Sequence, residues 1–205
     1  MQRRRHVIFD LGQVLIAWDP VLAFIDRLGS REAALGWMAR IAFDDWNRLQ
    51  DGGRSFAEGL AAARAEHGAL ADPLEGYADR FARTIEQRVP GSWEIAEALL
   101  ARDVGLYAIT NWAAETWPAA LALHPRLGQV FRDILVSGHV GMLKPDPAIY
   151  RLLMDRNLLH PAECLFIDDN PDNVAAARAL GIDAIAFEGA GPLWDALAAR
   201  GLLAG

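Results

Sequence analysis

Short apolar runs alternate with longer amphipathic stretches along most of the chain. The apolar runs occupy residues 7–9, 106–109, 134–136, 165–167 and 184–187. Continuous runs of this kind are typical of parallel strands that are buried on both faces. Helical patterns precede each of the last four strands, at about 92–102, 114–123, 147–157 and 171–180. The alternation predicts an α/β fold with a doubly wound, Rossmann-like parallel sheet, which binds ligands at the carboxyl ends of its strands.

The segment from 17 to 89 interrupts this alternation, because it contains helical patterns but no convincing strand. Ser55 and Glu58 predict a capping box at the start of one helix. Asp72, which is followed by proline, predicts the start of another helix that continues to Ile85. We therefore expect this segment to be an all-helical insertion.

The insertion divides the chain into two parts. We expect a catalytic core at residues 1–16 and 90–205 and a helical cap at residues 17–89, with residues 89–91 as the hinge that returns to the core. A length of 205 residues is sufficient for one domain with a smaller insertion.

The composition argues against several classes of partner. A formal net charge of −7 disfavours nucleic acid or an anionic membrane, and no apolar run approaches the ~20 residues that span a bilayer. Asp10 interrupts the apolar stretch behind the basic residues 1–5, so we expect no signal peptide and a cytoplasmic location. The single cysteine, Cys164, precedes an apolar run and is expected to be buried. We expect a monomer or homodimer that acts on a small molecule.

Polar side chains lie where the first two strands end. Asp10 follows the first strand, either as a turn aspartate or as a carboxylate nucleophile that forms an aspartyl-phosphate. Thr110 and Asn111 follow the second strand, and they either cap the next helix or bind phosphate oxygens. Trp112 comes next and either lines a pocket or packs against that helix. None of these residues identifies a site by itself.

Asp168 and Asp169 stand side by side at the end of the fourth strand. Two adjacent carboxylates at a buried strand end repel each other and lose hydration. A hard cation relieves both problems, and Mg²⁺ commonly binds one or two carboxylates together with waters and a phosphate oxygen. The pair therefore predicts a magnesium site.

Lys144 lies just before a helix whose first turn begins with Asp146 and Pro147. A cation at the positive end of a helix dipole is disfavoured, so Lys144 is either solvated or placed there to hold an anion. Together, Mg²⁺ and Lys144 would offset the repulsion between a phosphate dianion and the carboxylates of Asp10 and Asp169. The set of residues therefore predicts phosphoryl transfer.

These motifs resemble, in order and position, those of the haloacid dehalogenase superfamily, and the resemblance covers the whole chain. The hinge and the segments around Lys144 and Asp168 resemble a subgroup with a small helical cap, which includes sugar-phosphate phosphatases. The resemblance implies that Asp10 is both nucleophile and metal ligand. It implies metal binding by the Gly12 carbonyl and Asp169, with Asp168 acting through water. It also implies that Thr110, Asn111 and Lys144 hold the phosphoryl group.

Gly12 departs from the pattern of the phosphatases in this superfamily. They usually have a second aspartate two residues after the nucleophile, which protonates the leaving group and later activates water. General acid–base catalysis of this type contributes roughly 10²–10⁴-fold. We therefore expect a slow enzyme, a leaving group of low pKa, or a replacement group. Asp19 is one candidate, although a surface turn with the following proline also explains it.

Three functions fit these residues. A Mg²⁺-dependent phosphatase acting on a small phosphorylated metabolite is the leading hypothesis. A 2-haloacid dehalogenase also lacks the second aspartate, but those relatives work without a metal, so Asp168 and Asp169 favour phosphate. A phosphate-binding protein with negligible turnover is the third possibility. In the cap, Trp46, Arg48 and Arg54 either select the substrate or serve as a packing tryptophan and solvated arginines.

Overall fold

The structure, a computed structural model, describes residues 6–204 and contains a five-stranded parallel sheet in the order β3-β2-β1-β4-β5. The strands are β1 (His6–Phe9), β2 (Gly105–Thr110), β3 (Asp133–Val136), β4 (Cys164–Asp168) and β5 (Asp183–Ala186). The chain crosses over between strands, so the predicted α/β fold with a doubly wound parallel sheet is confirmed. The basic residues 1–5 lie outside the described part.

Only helices and turns lie between residues 20 and 85. The α-helices are α1 (Ile25–Leu28), α2 (Arg31–Arg40), α3 (Phe43–Asp51), α4 (Phe56–His67) and α5 (Tyr77–Arg80). Three 3-10 helices accompany them at Pro20–Ala23, Gly68–Leu74 and Phe81–Ile85. The predicted capping box of Ser55 and Glu58 opens α4, with both of its reciprocal hydrogen bonds present.

The prediction of one helix from Asp72 to Ile85 is wrong. The chain breaks at Gly76, whose φ of +67° is a left-handed conformation that glycine adopts readily. Arg80 stabilises the break, because its guanidinium donates hydrogen bonds to the carbonyls of Ala23, Pro73 and Glu75 at 2.7, 2.8 and 2.9 Å. Side chain to backbone bonds of this kind replace the regular ladder of a longer helix.

The two chain segments that connect the helical insertion to the sheet run side by side. Ile16 forms an antiparallel bridge with Arg88, and the amide of Val89 donates to the carbonyl of Leu15 at 3.0 Å. Entry and exit are therefore held together beside the end of β1. One apolar cluster continues from this face of the sheet into the insertion, where Phe24, Phe43 and Tyr77 pack closely.

The remaining helices cover the two faces of the sheet. They are α6 (Ser92–Leu100), α7 (Trp117–Leu123), α8 (Leu127–Val130), α9 (Ser137–Val140), α10 (Pro147–Asn157), α11 (Pro171–Ala179) and α12 (Ala190–Ala199), with a 3-10 helix at Pro161–Glu163. The helices α10 and α11 pack on the face that contains Ile8 and Phe166. Cys164 is buried on the same face, as expected. Within residues 6–204 no helix has the length and apolar character needed to cross a membrane.

Candidate active site

The carboxyl ends of three adjacent strands bring the predicted polar residues together. β1 lies between β2 and β4, so Asp10 stands between Thr110 and Asp168 at one edge of the sheet. The amide of Asp10 donates to the carbonyl of Ile167 at 2.8 Å, which continues the ladder past the end of β1. All three polar side chains are buried, and Asp10 retains 8% exposure. This slight exposure leaves the Asp10 carboxylate accessible to a ligand.

Lys144 reaches the same point from the loop before α10. Its Nζ lies 2.9 Å from Oδ1 of Asp10 and 2.6 Å from Oδ2 of Asp168, and only 1% of its side chain is exposed. The side chain of Asn111 accepts a hydrogen bond from the Lys144 amide at 2.8 Å and donates one to its carbonyl at 3.0 Å. Asn111 therefore positions the lysine, and its predicted contact with phosphate stays a prediction.

Asp10, Asp168 and Asp169 form a carboxylate cluster in which one oxygen from each lies within 4.8 Å of the others. Asp168 is the most fully hydrogen-bonded of the three. It accepts bonds from the Asn173 side chain at 3.0 and 3.1 Å and from the Asn170 amide at 2.8 Å, besides the contact with Lys144. Asp169 is exposed, so Asp10 and Asp169 have the freer oxygens for a cation.

Burial and mutual repulsion disfavour the negative charges in this cluster. Burial raises the pKa of Asp10 to about 7, and repulsion from Asp168 adds to this although Lys144 opposes it. Burial and Asp168 also raise the pKa of Asp169. The pKa of Lys144 is raised because attraction to Asp10 and Asp168 outweighs the cost of its burial. Three carboxylates against one ammonium leave two excess negative charges, and a divalent cation bound by oxygen would balance them.

A cavity of about 70 Å³ lies next to Gly12. It is lined by Gly12, Trp18, Asn47, Asp51, Phe81, Asn111 and Trp112. The ring of Trp112 lies 5.5 Å from that of Phe81 and 5.8 Å from that of Trp117 in α7, so Trp112 both lines the cavity and packs against the next helix. Its buried Nε1 has no hydrogen-bond partner within residues 6–204. An unpaired buried donor at a cavity wall favours a ligand that carries an acceptor.

The three cap residues proposed to select substrate are not among the residues that line this cavity. Trp46 is buried and donates to the carbonyl of Gly59 at 2.9 Å, which is a packing role. Arg54 bonds to Gln50 within the insertion, and Arg48 is exposed. Trp46 and Arg48 therefore agree with the simpler alternative, whereas Arg54 is half-buried and hydrogen-bonded rather than solvated.

Asp19 also lies away from the cavity lining, although its sequence position made it a candidate for the missing acid. Its carboxylate forms an ion pair with Arg31 at 2.6 Å on the surface. Sequence reasoning instead missed Asn47 and Asp51, which come from α3. The only available signal was the Gly52-Gly53 pair after Asp51, which predicted a turn and nothing more.

Comparison with known proteins identifies the family. The model of the haloacid dehalogenase-like hydrolases matches residues 5–181. Phosphoglycolate phosphatase 1 of Pseudomonas aeruginosa is 33% identical over 87% of this chain and 67% of its own length. Drimenol cyclase of Aspergillus calidoustus is 28% identical over 89% of this chain, which spans only 34% of the length of that protein.

Solved structures share the fold. A HAD family enzyme from Bacteroides thetaiotaomicron, crystallised with magnesium, aligns with a TM-score of 0.69 and 22% identity over 96% of this chain and 98% of its own. The L-2-haloacid dehalogenase of Xanthobacter autotrophicus aligns with a TM-score of 0.59 and 21% identity over 88% and 76% of the two chains. The fold does not separate phosphatase from dehalogenase, but the match over residues 5–181 places this chain in the haloacid dehalogenase-like hydrolase family.

Proposed function

We propose that this hydrolase is a Mg²⁺-dependent phosphatase that acts on a small phosphorylated metabolite through an aspartyl-phosphate on Asp10. One observation carries the proposal. The Asp10 carboxylate lies within 2.9 Å of the buried Lys144 ammonium and within the three-carboxylate cluster that includes Asp168 and Asp169. A nucleophile placed between a fixed cation and an anionic cluster suits a substrate that arrives with a cation and a phosphate.

The donor set fits magnesium. Carboxylate oxygens of Asp10 and Asp169 and the carbonyl of Gly12 would hold the ion, and Asp168 would contribute through water. Mg²⁺ prefers oxygen ligands and keeps several waters, and three carboxylate oxygens within 4.8 Å meet that preference. When bound, the ion supplies positive charge that offsets the repulsion between the carboxylates and the phosphate.

The residues of this chain then perform the transfer. An oxygen of Asp10 attacks phosphorus, a new P–O bond forms, and the bond to the ester oxygen breaks, so that the electron pair leaves with that oxygen. Lys144 and the hydroxyl of Thr110 hold the phosphoryl oxygens in line with the attack. Water then attacks the phosphorus of the aspartyl-phosphate, which releases phosphate and restores the Asp10 carboxylate.

The helical segment at residues 17–89 serves as the cap that selects the substrate. Its residues Trp18, Asn47, Asp51 and Phe81 face the core residues Gly12, Asn111 and Trp112 across the cavity. A leaving group attached to a phosphate at Asp10 would enter this space. Lids of this kind exclude water and determine which substrates reach the catalytic groups.

A 2-haloacid dehalogenase is the alternative, because a dehalogenase shares this fold at a TM-score of 0.59. The carboxylate cluster favours the phosphatase, since dehalogenases of this superfamily work without a metal. A phosphate-binding protein that turns over negligibly is the other alternative. The glycine at position 12, where phosphatases of this superfamily usually have an acid, is the feature that favours it.

Activity on a panel of sugar phosphates, nucleotides, p-nitrophenyl phosphate and haloacids, each with Mg²⁺ and with EDTA, tests the proposal. We expect phosphate release that needs Mg²⁺ and disappears in Asp10→Asn. Halide release that survives EDTA would establish the dehalogenase instead. Phosphate binding without turnover of any ester would establish the binding protein, and unchanged hydrolysis in Asp10→Asn would remove Asp10 as nucleophile.

A further inference from the structure

The cavity beside Gly12 contains one carboxylate, that of Asp51. The other lining residues are aromatic rings, two amides and Gly12 itself. Gly12 occupies the position where phosphatases of this family usually have their acid and base, and a Cβ built on it would meet no atom within 4 Å. The space that an acidic side chain at position 12 would use is therefore open, and Asp51 faces the same cavity from the cap.

Hydrogen bonds fix Asp51 to the core rather than to the cap alone. The hydroxyl of Ser137 donates to the Asp51 carbonyl at 2.6 Å and accepts the Trp112 amide at 2.8 Å. The amide of Ala113 also bonds to the Asp51 carboxylate. Residues 112 and 113 directly follow Thr110 and Asn111 at the end of β2. These hydrogen bonds therefore fix the position of Asp51 relative to the segment that contains the predicted phosphate site.

Two glycines permit close packing around Asp51, one in the turn after α3 and one in α9. Gly53 has a φ of +103°, a conformation that strains any other residue. A Cβ on Gly138 would overlap the backbone of Ala114, so only glycine fits where α9 passes the end of β2. The turn after α3 therefore rests directly on the core and places Asp51 at the cavity.

The surroundings of Asp51 leave its proton available. The Asn47 amide donates to its Oδ2 at 3.0 Å, and within residues 6–204 no lysine, arginine or histidine forms an ion pair with it. Burial raises the pKa of Asp51 to about 7, although the Ala113 amide and the charge of Arg48 oppose this. A carboxyl group with such a pKa populates both its forms at neutral pH, which suits a group that must donate and then accept a proton.

We infer that Asp51 is the general acid and base of the reaction and replaces the carboxylate that is absent at Gly12. The inference rests on the proposed phosphatase function. As the P–O ester bond breaks, the Asp51 carboxyl transfers its proton to the leaving oxygen, which departs as an alcohol. The resulting Asp51 carboxylate then takes a proton from the water that attacks the aspartyl-phosphate. Phosphate leaves, and both aspartates return to their starting states.

The test compares two substrates of the Mg²⁺-loaded enzyme. In n-propyl phosphate the leaving oxygen needs a proton, whereas in p-nitrophenyl phosphate it leaves as a stable anion. Hydrolysis of the aspartyl-phosphate is common to both esters, so the comparison uses kcat/KM, which reports the transfer to Asp10. We expect Asp51→Asn to lower kcat/KM for the propyl ester by about 10²–10⁴-fold and to change that for p-nitrophenyl phosphate far less. Asp45→Asn, an exposed acid on the same helix, is the matched control and should leave both rates unchanged.

Rescue distinguishes catalysis from a structural role. The double variant Gly12→Asp with Asp51→Asn should hydrolyse propyl phosphate at least tenfold faster than Asp51→Asn alone, because the side chain at position 12 has room to enter the cavity. Wild-type kcat/KM for the propyl ester should fall above a pKa near 7, and this alkaline limb should be absent in Asp51→Asn.

Three results would overturn the inference. They are an equal loss of kcat/KM for both esters without rescue, an unchanged kcat/KM for the propyl ester in Asp51→Asn, and a kcat/KM for that ester in wild type that does not fall at alkaline pH. The alkaline limb is measured on the wild-type enzyme, so it tests the inference even if Asp51→Asn fails to fold. Retained Mg²⁺-dependent hydrolysis of p-nitrophenyl phosphate in these cases would leave the phosphatase proposal intact. Its absence in wild type would reject that proposal instead.

Discussion

The ammonium of Lys144 lies 2.9 Å from an oxygen of Asp10, and both side chains are almost fully buried. The same ammonium lies 2.6 Å from Asp168. Buried charges lose hydration, and removal of one partner leaves the other uncompensated. The stability of the metal-free protein therefore depends on this lysine.

Lys144→Met should destabilise the metal-free protein, because the carboxylates of Asp10 and Asp168 would remain buried without a cation. Breaking a buried pair costs about 3–5 kcal/mol. Urea unfolding at pH 8 in EDTA measures this as a lower midpoint. Arg31→Met, which removes an exposed pair with Asp19, is the control and should have little effect. Equal shifts for the two variants would contradict the argument.

Asp10→Asn should have the opposite effect on stability while it abolishes phosphatase activity. The folded protein raises the pKa of Asp10 from 3.8 to about 7. Between these values the folded state binds the proton more tightly than the unfolded state, so this group lowers stability as pH rises through the window. The variant removes the penalty, so its advantage over wild type should be full above pH 7 and vanish below pH 4.

Thermal unfolding in EDTA at pH 8 and pH 4 measures the effect. Each kcal/mol corresponds to about 2–4 °C in Tm for a chain of this size. Asp155→Asn replaces an exposed carboxylate on α10 and should show no such difference between the two pH values. A lower Tm for Asp10→Asn at pH 8 would mean that the charge on Asp10 stabilises the fold, contrary to the assigned direction.

Asp169→Asn should weaken Mg²⁺ binding, because the exposed Asp169 carboxylate belongs to the cluster and has fewer protein partners than Asp168. Loss of a residue that only supports a metal ligand typically weakens metal binding by about 10–100-fold. Loss of a direct ligand should cost at least as much, so the Mg²⁺ concentration for half-maximal activity should rise by at least that factor. Asp172→Asn removes an exposed carboxylate from the first turn of α11 and is the matched control. The same Mg²⁺ requirement in both variants would exclude Asp169 as a ligand.

The sequence predicted the sheet and the residues at its edge for a simple reason. Apolar runs identify strands, and parallel strands place their carboxyl ends together, so Asp10, Thr110 and Asp168 had to meet. Lys144 is not at a strand end, and its position depends on a loop held by Asn111. The motif around Lys144 predicted that it holds the phosphoryl group, which stays a prediction. The contact of Asn111 with the Lys144 backbone had no signature in the sequence.

The cap was far less predictable. Asp51 acquires its surroundings from packing between α3 and the loop after β2, and neither periodicity nor composition reports contacts between distant elements. The break at Gly76 depends on three carbonyls that meet one arginine, Arg80, in the folded state. Local propensity favoured one continuous helix there, and tertiary contacts overrode it.

The cavity should also discriminate against anionic leaving groups. None of its lining residues carries a positive charge, and Asp51 carries a carboxyl. The carboxylate of phosphoglycolate would therefore lose hydration beside Trp18, Phe81 and Trp112 without a cation as partner. The leaving group of n-propyl phosphate is of similar size and uncharged, so this ester should be preferred in kcat/KM by at least about tenfold, or ~1.4 kcal/mol.

A cation added to the cavity should reduce the preference for n-propyl phosphate over phosphoglycolate. Trp18→Arg places a guanidinium at the cavity, so hydrolysis of phosphoglycolate should rise relative to that of n-propyl phosphate. Trp194→Arg makes the same change at an exposed position on α12, outside the cavity, and should leave the ratio unaltered. Steady-state kcat/KM for both esters measures the ratio in each protein. If the wild-type enzyme prefers phosphoglycolate, the leaving group must bind outside this cavity, next to a positively charged group.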